Sequence, residues 1–223
     1  MLHTRGVRLH AVEAGHSPDP LVVLIHGAFG GWFDFKDVIA PLAARGYHAV
    51  ALDLRGFGMS DKPANQTGDT LHILAGDVAG AIQTLGGKDT VVVGADTGAI
   101  VAEAAHQRYS ELVSRVVALP ASRGLPAAAT RLPSGLLGLS DRALDALWRA
   151  DFAESTSEAF RASPRGHEAL ELRQAARRID HALPHIVATS RLRPLTRRGG
   201  EAPGLPHVED PLGFVDKLAS SLR

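Results

Sequence analysis

The residues best suited to chemistry form a short turn in the middle of the chain, Gly94-Ala95-Asp96-Thr97-Gly98. An apolar, β-branched segment enters this turn, and an alanine-rich segment with apolar residues at helical spacing leaves it. The pattern predicts a strand, a sharp turn and a helix, with Asp96 at the tip of the strand. The flanking glycines are expected where a Cβ would collide with a neighbouring strand or helix.

An aspartate in this position changes the chemistry that the turn could support. Serine, the usual residue of such a turn, needs a base before it attacks, whereas a carboxylate is ionised at pH 7 and attacks an electrophilic carbon directly. The product is an ester on the protein, whose hydrolysis needs a water activated by a base, usually a histidine held by an acid. The alternative is that Asp96 only caps the following helix. The neighbouring segments favour the chemical interpretation.

Composition excludes several classes of function. The chain has 223 residues with 24 basic and 24 acidic side chains, which is enough for one sizeable core and gives no basic excess for nucleic acid or anionic membranes. Without cysteine there are no disulfides, and no apolar run approaches the roughly 20 residues of a membrane span. We expect a cytoplasmic protein without a signal peptide. Histidines are scattered, so we expect no metal site, and no cofactor is predicted.

Predicted strands alternate with predicted helices, which indicates an α/β fold with a mostly parallel sheet. Ligands of such sheets bind beyond the carboxyl ends of the strands, where the loops 26–32, 55–63 and 94–98 lie. The predicted strands are 7–12 at an edge, 21–25, 48–54, the strand before Asp96, and 114–119; the predicted helices are 34–45, 70–85, 97–113 and 211–222.

The segment 120–183 breaks this alternation. Prolines separate short helical pieces at 140–152 and 166–182, and the segment is far longer than an ordinary connection. We interpret it as a helical cap over the sheet; the alternative is a further set of crossover helices. After it, 184–190 is predicted to be a returning strand, and 191–206 to be irregular.

Four motifs carry a resemblance to the α/β-hydrolase family. They are His26-Gly27-Ala28-Phe29-Gly30, the run from Asp53 to Pro63, the turn around Asp96, and His207-Val208-Glu209-Asp210-Pro211. In this family the turn is called the nucleophile elbow. An elbow with aspartate at its centre resembles that of the epoxide hydrolase and haloalkane dehalogenase branch. The resemblance implies an α/β-hydrolase core at 1–122 and 184–223, with helices on both faces of the sheet, and a helical cap at 123–183.

The resemblance also implies roles for particular residues. Asp96 would be the nucleophile, and the backbone N–H groups of Ala28 and Thr97 would form the oxyanion hole. His207 is the candidate base, although alignment of the last motif puts Gly204 where the family's catalytic histidine stands. Glu201 is the candidate acid. The segment before His207 is short by about a helix and a strand, which leaves open an incomplete C-terminal part of the sheet.

Two departures bear on the substrate. Thr97 stands where dehalogenases usually carry a tryptophan that binds the halide. The predicted cap also lacks the two tyrosines that usually protonate the epoxide oxygen. If the substrate is an epoxide, another donor is needed; the candidates are Ser140, His167, His181 and His185.

The sequence therefore supports two hypotheses of different kinds. In the first, the chain is a hydrolase that opens a small epoxide-like substrate with Asp96 and then hydrolyses the ester. In the second, it is a non-catalytic or half-reaction protein that binds a small apolar ligand under the cap. Both give it a small-molecule partner and neither needs nucleic acid or a membrane; the oligomeric state stays open.

Overall fold

The computed structural model describes residues 1–64, 69–119, 138–192 and 204–222. Its strands are β1 (Leu2–Thr4), β2 (Val7–Leu9), β3 (Ala11–Ala14), β4 (Leu21–Ile25), β5 (His48–Leu52), β6 (Thr90–Ala95) and β7 (Val113–Leu119). Its α-helices are α1 (Lys36–Ala43), α2 (Thr70–Thr84), α3 (Thr97–Arg108), α4 (Asp141–Ser155), α5 (Glu158–Arg161), α6 (Pro164–Arg177), α7 (Ala182–Ser190), α8 (Pro206–Glu209) and α9 (Pro211–Leu222). A 3₁₀ helix, Trp32–Phe35, precedes α1.

A five-stranded sheet in the order β3-β5-β4-β6-β7 organises these elements. Strands β4 to β7 pair in parallel, and β3 pairs antiparallel with β5 at the edge. Every residue of β4 and β5 is buried. Such complete burial is typical of strands that are covered on both faces of a parallel sheet. Strand β6, which carries Asp96 at its end, lies between β4 and β7 and is therefore held on both sides.

The two faces of the sheet support separate apolar cores. Alternate residues of β4 point to opposite faces, so Val23 and Leu24 belong to different cores. Helices α2, α3 and α7 pack on the first face, and α1 and α9 pack on the second. This arrangement confirms the α/β fold with helices on both faces that the sequence predicts.

One predicted strand is wrong. The segment 184–190 lies in helix α7, where Ile186 and Val187 are buried in the first core and contact the layer formed by α2. A short apolar run is compatible with either structure. Pro184 does not prevent the helix, because it lies in the first turn, where backbone N–H groups have no intrahelical partner. In the part of the chain that the structure describes, no strand follows β7.

The predicted edge strand over 7–12 is also divided. Strand β2 pairs with β1 in a separate two-stranded sheet, and only β3 joins the central sheet. The division falls at His10, whose N–H donates to Ser60 Oγ and whose carbonyl accepts from the Asp53 N–H. The loop after β5 thus takes the backbone partners that a continuous strand would need.

Helices α4 to α6 form most of the described part of the predicted cap. Trp148 on α4 packs its ring edge against Phe29, with centroids 4.6 Å apart, and belongs to the first core of the sheet. Phe152 and Phe160 form a smaller cluster with Leu205 and Val208 near the C-terminus. The division at 123 and 183 stays a prediction. No helix within the four described segments is both long and apolar enough to cross a bilayer.

Candidate active site

Asp96 occupies the sharp turn between β6 and α3. Its backbone has φ +52° and ψ −119°, a conformation that costs a residue with a side chain about 1–3 kcal/mol and persists only where its surroundings impose it. Asp96 stands at the N-cap position of α3, yet its side chain makes no capping hydrogen bond. The capping interpretation is therefore wrong, because the carboxylate points elsewhere.

The glycines on either side of Asp96 are required by close packing. A Cβ on Gly94 would lie 2.5 Å from Ala99 Cα in α3, and one on Gly98 would lie 2.5 Å from the carbonyl oxygen of His26. Both obstacles are backbone atoms, which cannot move without shifting a helix or a strand. The collision that the sequence predicts is confirmed, and it fixes the turn against α3 and the end of β4.

The loop after β4 forms the surface beside Asp96. A Cβ on Gly27 would lie 2.8 Å from Asp96 Cβ and 3.0 Å from its Oδ2, so the two residues are in direct contact. His26 fixes this loop: its Nδ1 donates to the Gly27 carbonyl at 2.7 Å, and its Nε2 accepts from the Leu54 N–H at 3.1 Å. Both ring nitrogens are thus used to hold the loop.

Asp53 connects the loops around the site. Its fully buried carboxylate accepts from the backbone N–H groups of Trp32 at 3.0 Å and Met59 at 3.2 Å, and lies 2.8 Å from His10 Nδ1. Three separate segments therefore share one anion. Arg55 makes two 2.6 Å hydrogen bonds to Asp77 on α2, which adds a further anchor for the same loop.

The two residues whose backbone N–H groups are expected to bind an oxyanion flank the residues that line the cavity but do not line it themselves. Ala28 and Thr97 are fully buried, and neither N–H has a carbonyl partner in the turns, loops and helix caps of the described residues. Thr97 is the first residue of α3, where unpaired N–H groups and the helix dipole favour negative charge. These features suit an oxyanion hole.

A cavity lies above Asp96, which is 7% exposed. It is narrow, with room for the centre of a water-sized molecule over only about 10 Å³, which corresponds to about one water. On the sheet side it is lined by Gly27, Gly30, Asp34 and Asp96, and on the side of α4 and α6 by Asp151, Ser155 and Arg173. Binding of a larger molecule therefore requires the lining side chains to move apart.

Arg173 and Asp34 form a buried ion pair in the cavity wall. Arg173 Nη2 lies 2.8 Å from Asp34 Oδ1, and both side chains are about 95% buried. Burial raises the pKa of the Asp34 carboxyl, and the Arg173 guanidinium opposes that rise. Arg173 also lies over the Phe152 ring, 5.7 Å from its centroid. The sequence analysis missed this pair, since nothing in a helix rich in charged residues distinguishes Arg173.

His207, the candidate base, does not line the cavity. Its ring is 1% exposed and stacks on Phe35 at 4.5 Å, with Phe214 edge-on at 6.0 Å. Neither ring nitrogen has a hydrogen-bonding partner among the described residues. Burial, with a smaller contribution from the Arg173 guanidinium, lowers the pKa of His207 to about 3. The structure thus does not bring His207 and Asp96 together, because α8 turns the imidazole into the second core.

The other candidates do not complete the site. Glu201 lies outside the described residues. Ser140 caps α4 through the Ala143 N–H, and His167 and His181 are exposed. His185 packs against Gly56, where burial lowers the pKa of its ring. None of these four donors lines the cavity, so the sequence-based expectation for the donor is not met. No group of three acidic or histidine side chains in the described chain could hold a metal ion.

The last position to consider in the site is Gly204, which has no side chain. A Cβ on Gly204 would meet no atom within 4 Å, and its neighbour Leu205 lines the cavity. Gly204 is the residue that the sequence-based prediction places where the family's catalytic histidine stands. Among the described residues, no atom occupies the space that a side chain there would enter.

Comparisons with known proteins agree with this architecture. The chain is 44% identical over 105 residues to epoxide hydrolase B of Mycobacterium tuberculosis, which is 46% of this chain and 29% of that protein. It is 37% identical over 119 residues to epoxide hydrolase A of the same species, covering 53% of this chain and 37% of the relative. The alignments thus span about a third of the length of these curated relatives.

Solved structures share the fold over most of the chain. A hydrolase from Pseudomonas aeruginosa superposes with a TM-score of 0.79 at 20% identity, covering 100% of this chain and 97% of that one. Epoxide hydrolase A from Mycobacterium thermoresistibile superposes with a TM-score of 0.66 at 22% identity, covering 98% and 77%. Residues 20–186 match the alpha/beta hydrolase fold family, so the chain belongs to that family.

Proposed function

We propose that the chain is a hydrolase that opens small epoxide-like electrophiles by attack of the Asp96 carboxylate. The observation that carries this proposal is the position of Asp96. It is held in a strained turn, makes no capping bond and lines a cavity beneath helices α4 and α6. The names of the curated relatives, which are epoxide hydrolases, support the same class of substrate.

The reaction has two steps. An Asp96 oxygen bonds to an epoxide carbon, the C–O bond of the ring breaks, and its electron pair goes to the oxygen, which takes up a proton. Water then attacks the carboxyl carbon of the ester, and the N–H groups of Ala28 and Thr97 stabilise the resulting oxyanion. Collapse of this intermediate releases the diol and restores the carboxylate.

The two steps are unequally supported by the surrounding residues. The first needs a carboxylate that faces the substrate, and Asp96 lines the cavity. The second needs a base for water, and His207 could supply it only after leaving its stack on Phe35. We therefore propose that ester hydrolysis limits turnover and that the alkyl-enzyme ester accumulates.

Intact-mass spectrometry tests this function. The protein is incubated with terminal epoxides from propylene oxide to styrene oxide, and the ester and the diol are measured over time. We expect a mass increase of one epoxide, located on Asp96, followed by slow diol release. With protein in excess in H₂¹⁸O, hydrolysis through the ester puts ¹⁸O into Asp96 and not into the diol.

Two variants serve as the comparison. Asp96→Asn should form no ester, whereas Asp89→Asn should react as the wild type does. Asp89 is a matched control because it also has a positive φ, lies just before the other end of β6 and is exposed. Ligand-dependent thermal stabilisation without ester or diol would contradict the proposal and support the non-catalytic alternative.

A further inference from the structure

The donor for the leaving oxygen is the part of the proposed reaction that the sequence does not identify. Opening an epoxide leaves negative charge on oxygen, and a donor aimed at that oxygen stabilises the transition state. The four candidates that the sequence offers all lie outside the cavity. The donor must therefore come from a residue that lines the cavity with Asp96.

Arg173 is the lining side chain with donors to spare. It is 4% exposed; its Nη1 donates to the Phe29 carbonyl at 3.4 Å, and its Nη2 lies 2.8 Å from Asp34 Oδ1 as an ion pair without hydrogen-bond geometry. Its Nε–H has no acceptor among the described residues. A buried donor without an acceptor is costly, so its retention in a cavity wall points to a ligand acceptor.

The other polar lining groups are less suited to this role. The Ser155 hydroxyl donates to the Asp151 carbonyl at 2.6 Å, so its proton is already used. The Asp34 carboxyl is engaged by the guanidinium of Arg173, 2.8 Å away. Among the described lining residues, Arg173 is the cationic side chain, so it is the best suited to stabilise an anionic oxygen.

We propose that Arg173 is a catalytic residue that hydrogen-bonds the epoxide oxygen through its spare N–H as the ring opens. This inference rests on the proposed function. As Asp96 bonds to carbon and the C–O bond breaks, the electron pair moves to oxygen, and the Arg173 cation stabilises it. Arginine keeps its proton, so the alkoxide takes a proton from water, which leaves as hydroxide. Asp34 positions the guanidinium.

The test compares two leaving groups at the same kind of carbon. Styrene oxide and benzyl bromide both react at a benzylic carbon; the first expels an alkoxide, which needs a donor, and the second expels bromide, which scarcely does. The rate of ester formation on Asp96 is followed by intact mass for each reagent. The variants are Arg173→Gln, Arg173→Lys and the double variant Asp34→Asn/Arg173→Gln, which leaves no unpaired buried charge.

Arg177→Gln is the matched control. Arg177 lies one turn further along α6, is equally buried, pairs with Asp141 and Asp145, and lies over the Trp148 ring, but it does not line the cavity. It should leave the ratio of the two rates unchanged. Circular dichroism and thermal melting establish which variants are folded. If Arg173→Gln does not fold, the double variant still allows the test.

We expect loss of Arg173 to slow ester formation from styrene oxide by about 10- to 150-fold, the range for a hydrogen bond to a charged group, and that from benzyl bromide less than about threefold. Equal slowing of both reagents would indicate a structural role and overturn the inference. Unchanged rates with styrene oxide would also overturn the inference. In that case, ester formation that is lost in Asp96→Asn would still support the proposed function. If the wild type forms no ester with the epoxide, both fall.

Discussion

Gly27 gives the most direct test of how Asp96 is held. Replacement by alanine would place a Cβ 2.8 Å from Asp96 Cβ and 3.0 Å from Oδ2. Carbon atoms in ordinary contact are about 3.5–4.0 Å apart, so Asp96 Cβ and the new methyl group must separate by about 0.7–1.2 Å. Rotation of the side chain does not move a Cβ, so the backbone of the turn has to shift. A misplacement of about 1 Å at a reacting atom costs about 100-fold in rate. We therefore expect Gly27→Ala to slow ester formation on Asp96 by about that factor.

The cost in stability should be moderate in comparison. The atoms that obstruct this Cβ most closely belong to a side chain, and overpacking of this kind costs about 1–3 kcal/mol. Gly94→Ala differs, because its Cβ meets the backbone of α3, so we expect it to destabilise the fold more than Gly27→Ala does. Gly204→Ala, whose Cβ meets nothing within 4 Å, is the neutral control.

The assay combines intact-mass kinetics with thermal melting of the three variants. The expected pattern is slow ester formation with moderate destabilisation for Gly27→Ala, strong destabilisation for Gly94→Ala, and wild-type behaviour for Gly204→Ala. A Gly27→Ala protein that forms the ester at the wild-type rate would refute the reasoning, because the carboxylate would then not be held against the loop after β4.

Three further predictions concern other parts of the chain. Gly204→His should accelerate ester hydrolysis about tenfold or more, since a placed base typically contributes 10²–10⁴-fold, whereas Gly204→Leu should not; diol release measures both. The pKa of His207 is lowered from 6.5 to about 3, so between these values the unfolded chain binds a proton that the folded chain does not, and the free energy of unfolding falls as the pH falls. Between pH 7.5 and 4.5, the free energy of unfolding of the wild type should fall by about 2–3 kcal/mol more than that of His207→Leu, as measured by urea unfolding. Trp148→Ala should cost about 3–5 kcal/mol and leave a single unfolding transition, because the ring is shared between α4 and the core of the sheet.

Each of these has a contradicting result. Equal diol release from the histidine and leucine variants at position 204 would show that the open space does not reach the ester. A His207→Leu protein with the same loss of stability in acid as the wild type would place the acid sensitivity elsewhere. Two separate transitions in Trp148→Ala would show that the helical layer unfolds apart from the sheet.

The framework around Asp96 is predictable because its signals are local. The continuous apolar run of β4 indicates a buried strand, and the glycines at 94 and 98 indicate close packing of the backbone. Both signals can be seen in residues that are neighbours in the sequence. Helix α7 is not predictable in this way, since Ile186 and Val187 suit a strand or a buried helix equally, and packing on α2 decides between them.

The polar part of the cavity is the part that sequence reasoning could not supply. Asp34 and Arg173 are far apart in the chain and meet only because α6 crosses above the loop after β4. Gly30 carries one weak signal, since any side chain there would collide with the Asp34 carboxylate. The site of His207 is equally unpredictable, because its motif does not reveal which face of α8 turns inward.

The shared anion at Asp53 determines which side of the site can move. Because one carboxylate accepts from three segments of the chain, each segment is tied to the other two through it. We therefore expect the sheet side to be the less mobile wall, and exchange of small molecules with solvent to depend on movement of α4 and α6. The rate of that movement would then limit how fast any reagent reaches Asp96.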